Sequence, residues 1–109
     1  MPVPLHQAKA ELFRTLGHPV RIRILELLQE GPRPVRELLD EIDVEQSNLS
    51  QQLAVLRRAG IIISTREGAA VLYSLGTSDV ASLLHAARAF LTGILRDQES
   101  LLAELRADA

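Results

Sequence analysis

The chain has 109 residues, 47% apolar and 24% charged but only 3% aromatic, with a net charge of −2. This is the composition of one ordinary globular domain rather than a disordered tail, and its core must rest on Leu, Ile, Val and Ala. There is no Cys, which excludes disulfides, thiolate metal sites and thiol switching, and no apolar run approaches the ~20 residues of a membrane span.

Leu5, Ala8, Leu12, Phe13 and Leu16 recur at helical spacing and predict a first helix that stops before Gly17. Pro19 opens a second helix, because a first-turn proline lacks only an N–H that would be unpaired anyway. Val20 to Ile24 alternates like a strand, but Leu25, Leu27 and Leu28, with Pro19 and Gly31 as boundaries, favour a helix to about Glu30. His18, just before Pro19, reads as a turn or core residue. After the turn Pro32-Arg33-Pro34, a short third helix carries Val35, Leu38, Leu39 and Ile42 inward. A second turn, Asp43 to Gln46, leads to a fourth helix from Ser47 to Ala59, with Leu49, Leu53 and Leu56 inward and Gly60 closing it. Two β-rich runs follow, Ile61 to Arg66 and Ala70 to Leu75, joined by Glu67-Gly68-Ala69. Val71, Tyr73 and Leu75 alternate with Leu72 and Ser74 as a half-buried strand should, and Gly68 supplies the positive φ of a tight hairpin. After Gly76, a last helix runs to about Leu105, with Thr77 or Ser78 as its cap and Asp79 suited to its positive end. The expectation is a single domain over residues 1–109. Its fold is mainly α with a β-hairpin wing (α+β), that is, a winged helix-turn-helix.

The fourth helix has an unusual polar side. A surface helix commonly carries Glu and Lys, whereas this one carries Ser47, Asn48, Ser50, Gln51 and Gln52. Uncharged amides and hydroxyls both donate to and accept from base edges in a major groove, and they approach phosphates without repulsion. Arg57 and Arg58 in its last turn suit the negative helix end, phosphate, or both. Arg66, beside Gly68, is placed for a wing to reach phosphates or the minor groove, or is simply a solvated loop charge. Net charge alone argues mildly against nucleic acid. However, Gln46 to Arg66 holds three arginines and no acid, while Glu37 to Glu45 holds five acids and no base, so one stretch could face phosphate while the other faces away.

Leu16-Gly17-His18-Pro19-Val20-Arg21-Ile22-Arg23-Ile24-Leu25, Ser47-Asn48-Leu49-Ser50-Gln51-Gln52-Leu53, Leu56-Arg57-Arg58-Ala59-Gly60-Ile61-Ile62 and Arg66-Glu67-Gly68 before Val71-Leu72-Tyr73-Ser74-Leu75 are linked motifs in a fixed order. Together they resemble the ArsR/SmtB family of bacterial winged-helix repressors. The resemblance implies a homodimer on a partly palindromic operator, repressing transcription, with an inducer (often a metal ion) that loosens its grip.

The dimer has independent support in the last helix. There Val80, Leu84, Ala87, Leu91, Ile94, Gln98, Leu101 and Leu105 follow a 4-3 spacing, and Leu83, Phe90, Leu95 and Leu102 widen the stripe. So broad an apolar face exceeds what one small core can cover. Pairing with its counterpart, helped by Leu5 and Leu12 of the first helix, would bury the rest. The stretch from Asp79 to Leu105 would span about 40 Å, which suits two recognition helices held roughly 34 Å apart.

The inducer is less defined. The thiolate site that the resemblance implies is missing with the cysteines. At the family's other common site Asp79 stands near the right place, but Ala81, Thr92 and Leu95 occupy the remaining positions. His6, Glu11, Asp79 and His85 could instead converge where first and last helices pack in a dimer, a donor set that suits nickel, zinc or cobalt. They could equally be unrelated residues, an interfacial histidine could sense pH, or a partner protein could do the sensing. The opening Met1 to His6 shows no basic-then-apolar leader, and a cytoplasmic protein is expected. No nucleophilic cysteine, phosphate-binding glycine loop or metallohydrolase spacing supports an enzyme. The stronger rival is a protein-interaction module that dimerises with another regulator and does not itself read DNA.

Overall fold

The computed structural model describes residues 2–108. The elements are α1 (Leu5–Leu16), α2 (Pro19–Leu28), α3 (Val35–Glu41), α4 (Gln46–Arg58), β1 (Ile62–Glu67), β2 (Ala70–Leu75) and α5 (Ser78–Ala107). This is the expected order, and the stretch that alternates like a strand lies inside α2. Ile24, Leu25, Leu27 and Leu28 are all buried, a spacing that a helix, not a strand, gathers on one side. His18 caps α2, its Nδ1 accepting from the Val20 N–H at 3.2 Å, so the turn reading of this histidine holds. Element ends move by one or two residues, as frayed termini do. α2 stops at Leu28 because Gln29 and Glu30 form a turn, while Ile42 lies just past α3 yet stays buried.

The core gathers where α2, α3 and α4 meet the base of the hairpin. Ile24, Leu25, Leu38, Leu49, Leu53, Leu56 and Ile62 are fully buried, each contributing about 1.5–3 kcal/mol of transfer free energy. α4 ends in a Schellman turn, with the Gly60 N–H donating to the Arg57 carbonyl at 3.0 Å and the Ile61 N–H to that of Leu56 at 3.0 Å. That turn delivers Ile61 and Ile62 into the core and starts the hairpin. β1 and β2 pair antiparallel from Ile62↔Leu75 to Glu67↔Ala70. Arg33 adds a third segment at the hairpin's base, its backbone bonded both ways to Tyr73 at 2.9 and 2.8 Å. The end of β2 lies against the end of α4. The Gly76 N–H donates to the Ile61 carbonyl at 2.8 Å, and a Cβ at Gly76 would meet the Gly60 carbonyl oxygen at 2.7 Å. Close backbone approach therefore fixes the wing relative to α4.

The wing differs from expectation at its tip. Glu67 is a strand residue, so Gly68 and Ala69 alone make the turn; Gly68 has φ 63° and Ala69 is not positive, which is the II′ pattern. Tyr73 and Leu75 pack against the core, but Val71 is exposed. Burial along β2 therefore rises from tip to base rather than alternating, and only Tyr73 and Leu75 reach the core, because the tip projects beyond anything it could pack on.

α5 is capped as expected by Thr77, whose Oγ1 accepts from the Asp79 N–H at 2.9 Å. Along its 30 residues no side chain is fully buried, and α1 buries only Leu16. The radius of gyration is 17.9 Å, against roughly 13 Å for a compact chain of this length. Among the described residues no helix is long and apolar enough to cross a membrane.

Candidate nucleic-acid interface

α3 and α4, joined by the turn through Ile42, Asp43, Val44 and Glu45, form the helix-turn-helix, and the hairpin is its wing. Leu49, Leu53 and Leu56 seal the inner face of α4. Its outer face is exposed at Ser47, Asn48, Ser50 and Gln51, and also at Gln46, which begins the helix rather than ending the turn before it. Arg57 and Arg58 are exposed at the far end, where the Arg58 Nε donates to the Ala54 carbonyl one turn back along the helix at 3.2 Å; among the described residues the Arg57 side chain makes no such bond, and both guanidinium groups lie at the surface. Arg66 is exposed on β1, opposite Val71, near the wing tip. The arrangement is a row of neutral donors and acceptors flanked by guanidinium groups, the chemistry that suits base edges bordered by phosphates.

Gln52 departs from the expectation that placed it on that outer face. It is 9% exposed. Its Oε1 accepts from the Arg21 Nε at 2.8 Å and its Nε2 donates to the Asn48 Oδ1 at 3.0 Å. The sequence held the signal: Gln52 is three residues after Leu49 and four before Leu56, so it shares their face. Arg21, which the sequence reading had not singled out, is half-buried, and its Nη1 also donates to the Thr15 carbonyl at 3.0 Å.

The acidic stretch is only partly set aside. Glu37, Asp40 and Glu41 lie exposed on α3, but Asp43 and Glu45 occupy the turn leading into α4, and Glu45 is its N-cap residue. Acid and base therefore sit at opposite ends of α4, the carboxylates before its first turn and Arg57 and Arg58 in its last.

The seam residues divide into two sets. Val80, Leu83 and Leu84 are half-buried against the chain's own core. Ala87, Leu91, Ile94 and Leu101, with Phe90 (71% exposed), Leu95, Leu102 and Leu105, are exposed, as are Leu5 (70%), Leu12 and Phe13. Phe13, Leu16, Pro19, Ile22, Leu83 and Leu84 line an open apolar groove of 680 Å³ between α1, α2 and α5.

A metal fares less well. Among the described residues of one chain, no three His, Cys, Asp or Glu side chains gather as a metal site. His6 and His85 are exposed, Glu11 is paired with Arg14, and Asp79 lies in the first turn of α5. Among the described residues, one chain by itself therefore does not bring together the donors that a nickel, zinc or cobalt ion needs.

The family described as bacterial regulatory protein, arsR family, matches residues 18–64, from the cap of α2 into β1. The chain is 53% identical over 105 residues to the HTH-type transcriptional regulator Rv0081 of Mycobacterium tuberculosis, covering 95% of this chain and 92% of that protein. The crystal structure of that regulator superposes with a TM-score of 0.83 over 89% of this chain and 98% of the other. A biofilm growth-associated repressor of Agrobacterium fabrum is 38% identical over 90 residues, covering 79% and 77% of the two chains. With the α3–turn–α4 unit and its wing in place, these matches show that the chain belongs to the ArsR family of bacterial transcriptional regulators, with a winged helix-turn-helix fold.

Proposed function

We propose that the chain is a homodimeric repressor that lays two copies of α4 into successive major grooves of a partly palindromic operator. The observation carrying this reading is α4 itself: leucines seal one face, and the other offers Gln46, Ser47, Asn48, Ser50 and Gln51 without a single charge until Arg57 and Arg58. Arg66 of the wing would take phosphate or the minor groove beside it. α5, about 45 Å long at 1.5 Å per residue, and α1 would pair with their counterparts, burying Leu5, Leu12, Ala87, Leu91, Ile94 and Leu101, while the apolar groove beside Leu83 and Leu84 receives part of the second subunit. A repressor among the relatives supports the direction of regulation. The test is binding to the chain's own upstream duplex as salt rises. Each neutralised phosphate should contribute about −0.9 to the slope of log K against log salt, whereas a slope near zero would reject the reading.

For an inducer, nickel, zinc or cobalt would have to be held across the dimer, His6 and Glu11 from α1 of one subunit meeting Asp79 and His85 from α5 of the other. Titrating each metal against the protein–duplex complex decides this. Release by one of them supports the site, and unchanged affinity with all three removes it, leaving a partner protein or another signal. Asp43 and Glu45 beside α4 favour one rival, a module that pairs with another regulator and leaves DNA alone. Failure to bind duplex at low salt would select that rival.

A further inference from the structure

Arg21, Gln52 and Asn48 form a chain of hydrogen bonds with a fixed direction. A guanidinium carries only donors, so the group facing it must be an acceptor. This settles which way the Gln52 amide points: Oε1 toward Arg21 at 2.8 Å, and Nε2 therefore toward Asn48 at 3.0 Å. Asn48 must then turn its Oδ1 inward to accept, which leaves its NH2 for the exposed side of α4. Arg21 is itself held from behind by the Thr15 carbonyl at 3.0 Å, and Gln52 is buried with both ends of its amide in use.

We infer that Arg21 sets, through Gln52, the hydrogen-bond polarity that Asn48 offers to DNA, making Asn48 a donor that selects an acceptor on a base edge. The acceptors available in the major groove are purine N7, guanine O6 and thymine O4. Gln52 is a positioning residue that never touches the duplex, and Asn48 is the reader. This rests on the reading that α4 faces DNA, and it adds what one position of α4 demands of the sequence.

The experiment replaces Gln52 with Glu, which keeps an acceptor for Arg21 but has no donor for Asn48. The Asn48 amide then reverses, donating inward from Nδ2 and presenting Oδ1 outward. Affinities of the full-length protein are measured for its own upstream duplex and for a set in which each base pair under α4 is replaced in turn. At one position the wild type should prefer an acceptor edge. Gln52→Glu should move that preference by about tenfold toward a base offering a donor, adenine N6 or cytosine N4. In an Asn48→Ala background Gln52→Glu should shift nothing. A Gln52→Glu protein that loses affinity evenly for every duplex, or whose shift survives Asn48→Ala, overturns the inference. Asn48→Asp is the second variant, at an exposed position that leaves the core untouched. It still accepts from Gln52 and offers only an acceptor outward, so it should shift the same base in the same direction, and no shift there also overturns the inference. A wild type that binds no duplex at low salt overturns the underlying reading as well. A wild type that discriminates among the duplexes while Gln52→Glu keeps its base preference overturns the inference alone.

Discussion

α4 and α5 are both amphipathic, but the chain completes only one of them. α4 has 13 residues and buries Leu49, Gln52, Leu53 and Leu56, so its apolar side is closed by its own subunit. α5 has 30 residues and buries none, leaving Phe90, Leu91, Leu95 and Leu101 more than half exposed. The polar side of α4 is therefore free to act as a surface, whereas the apolar side of α5 becomes half of an interface in the proposed homodimer. One helix is completed by the fold and the other, on the proposed reading, by association, and the two should break in different ways.

The largest effect is expected at the unfinished helix. Leu91→Glu would put one carboxylate from each subunit into the seam, and an unpaired buried charge costs about 3–5 kcal/mol. The variant should sediment as a folded monomer with unchanged helical content, and an intact dimer would reject the seam. The junction between wing and α4 comes next. Gly76→Ala forces a Cβ against the Gly60 carbonyl oxygen at 2.7 Å, and overpacking of this kind costs about 1–3 kcal/mol. Thermal unfolding should shift downward, and an unchanged midpoint would mean that the contact relaxes freely.

The finished helix should respond without loss of fold. Asn48→Ala and Gln51→Ala should each flatten the preference among duplexes by ~1–3 kcal/mol at one base pair, read as relative affinities for single-base variants. Arg66→Ala should have the smallest effect, weakening all duplexes alike and lowering the salt slope by about 1. If Arg66→Ala instead changed which sequence is preferred, the wing would be a reader rather than a clamp.

The same contrast explains what was legible in the sequence. Helices closed by their own chain announce themselves through spacing: Leu49, Leu53 and Leu56 mark the inner face of α4, and Pro19 and Gly60 mark helix ends that the structure keeps. The stripe on α5 was equally visible, but a stripe does not say which part meets the chain's own core. Val80 and Leu84 do, whereas Leu91 and Leu101 do not. Gln52 was misplaced because residue type outweighed position: an amide within a polar run reads as surface even where its spacing puts it among leucines. Arg21 carried still less signal, since its partner lies 31 residues away and only the packing of α2 on α4 brings them together. Val71 shows the reverse, an apolar residue in good alternation that the fold leaves outside because the wing tip reaches past the core.

Sedimentation of the purified chain mixed with a duplex from its own upstream region, at low salt and again as salt rises, tests the account most directly. Two chains should travel with each duplex, and the complex should dissociate steeply as ionic strength increases. A single chain on each duplex, or protein and duplex sedimenting apart even at low salt, would contradict it.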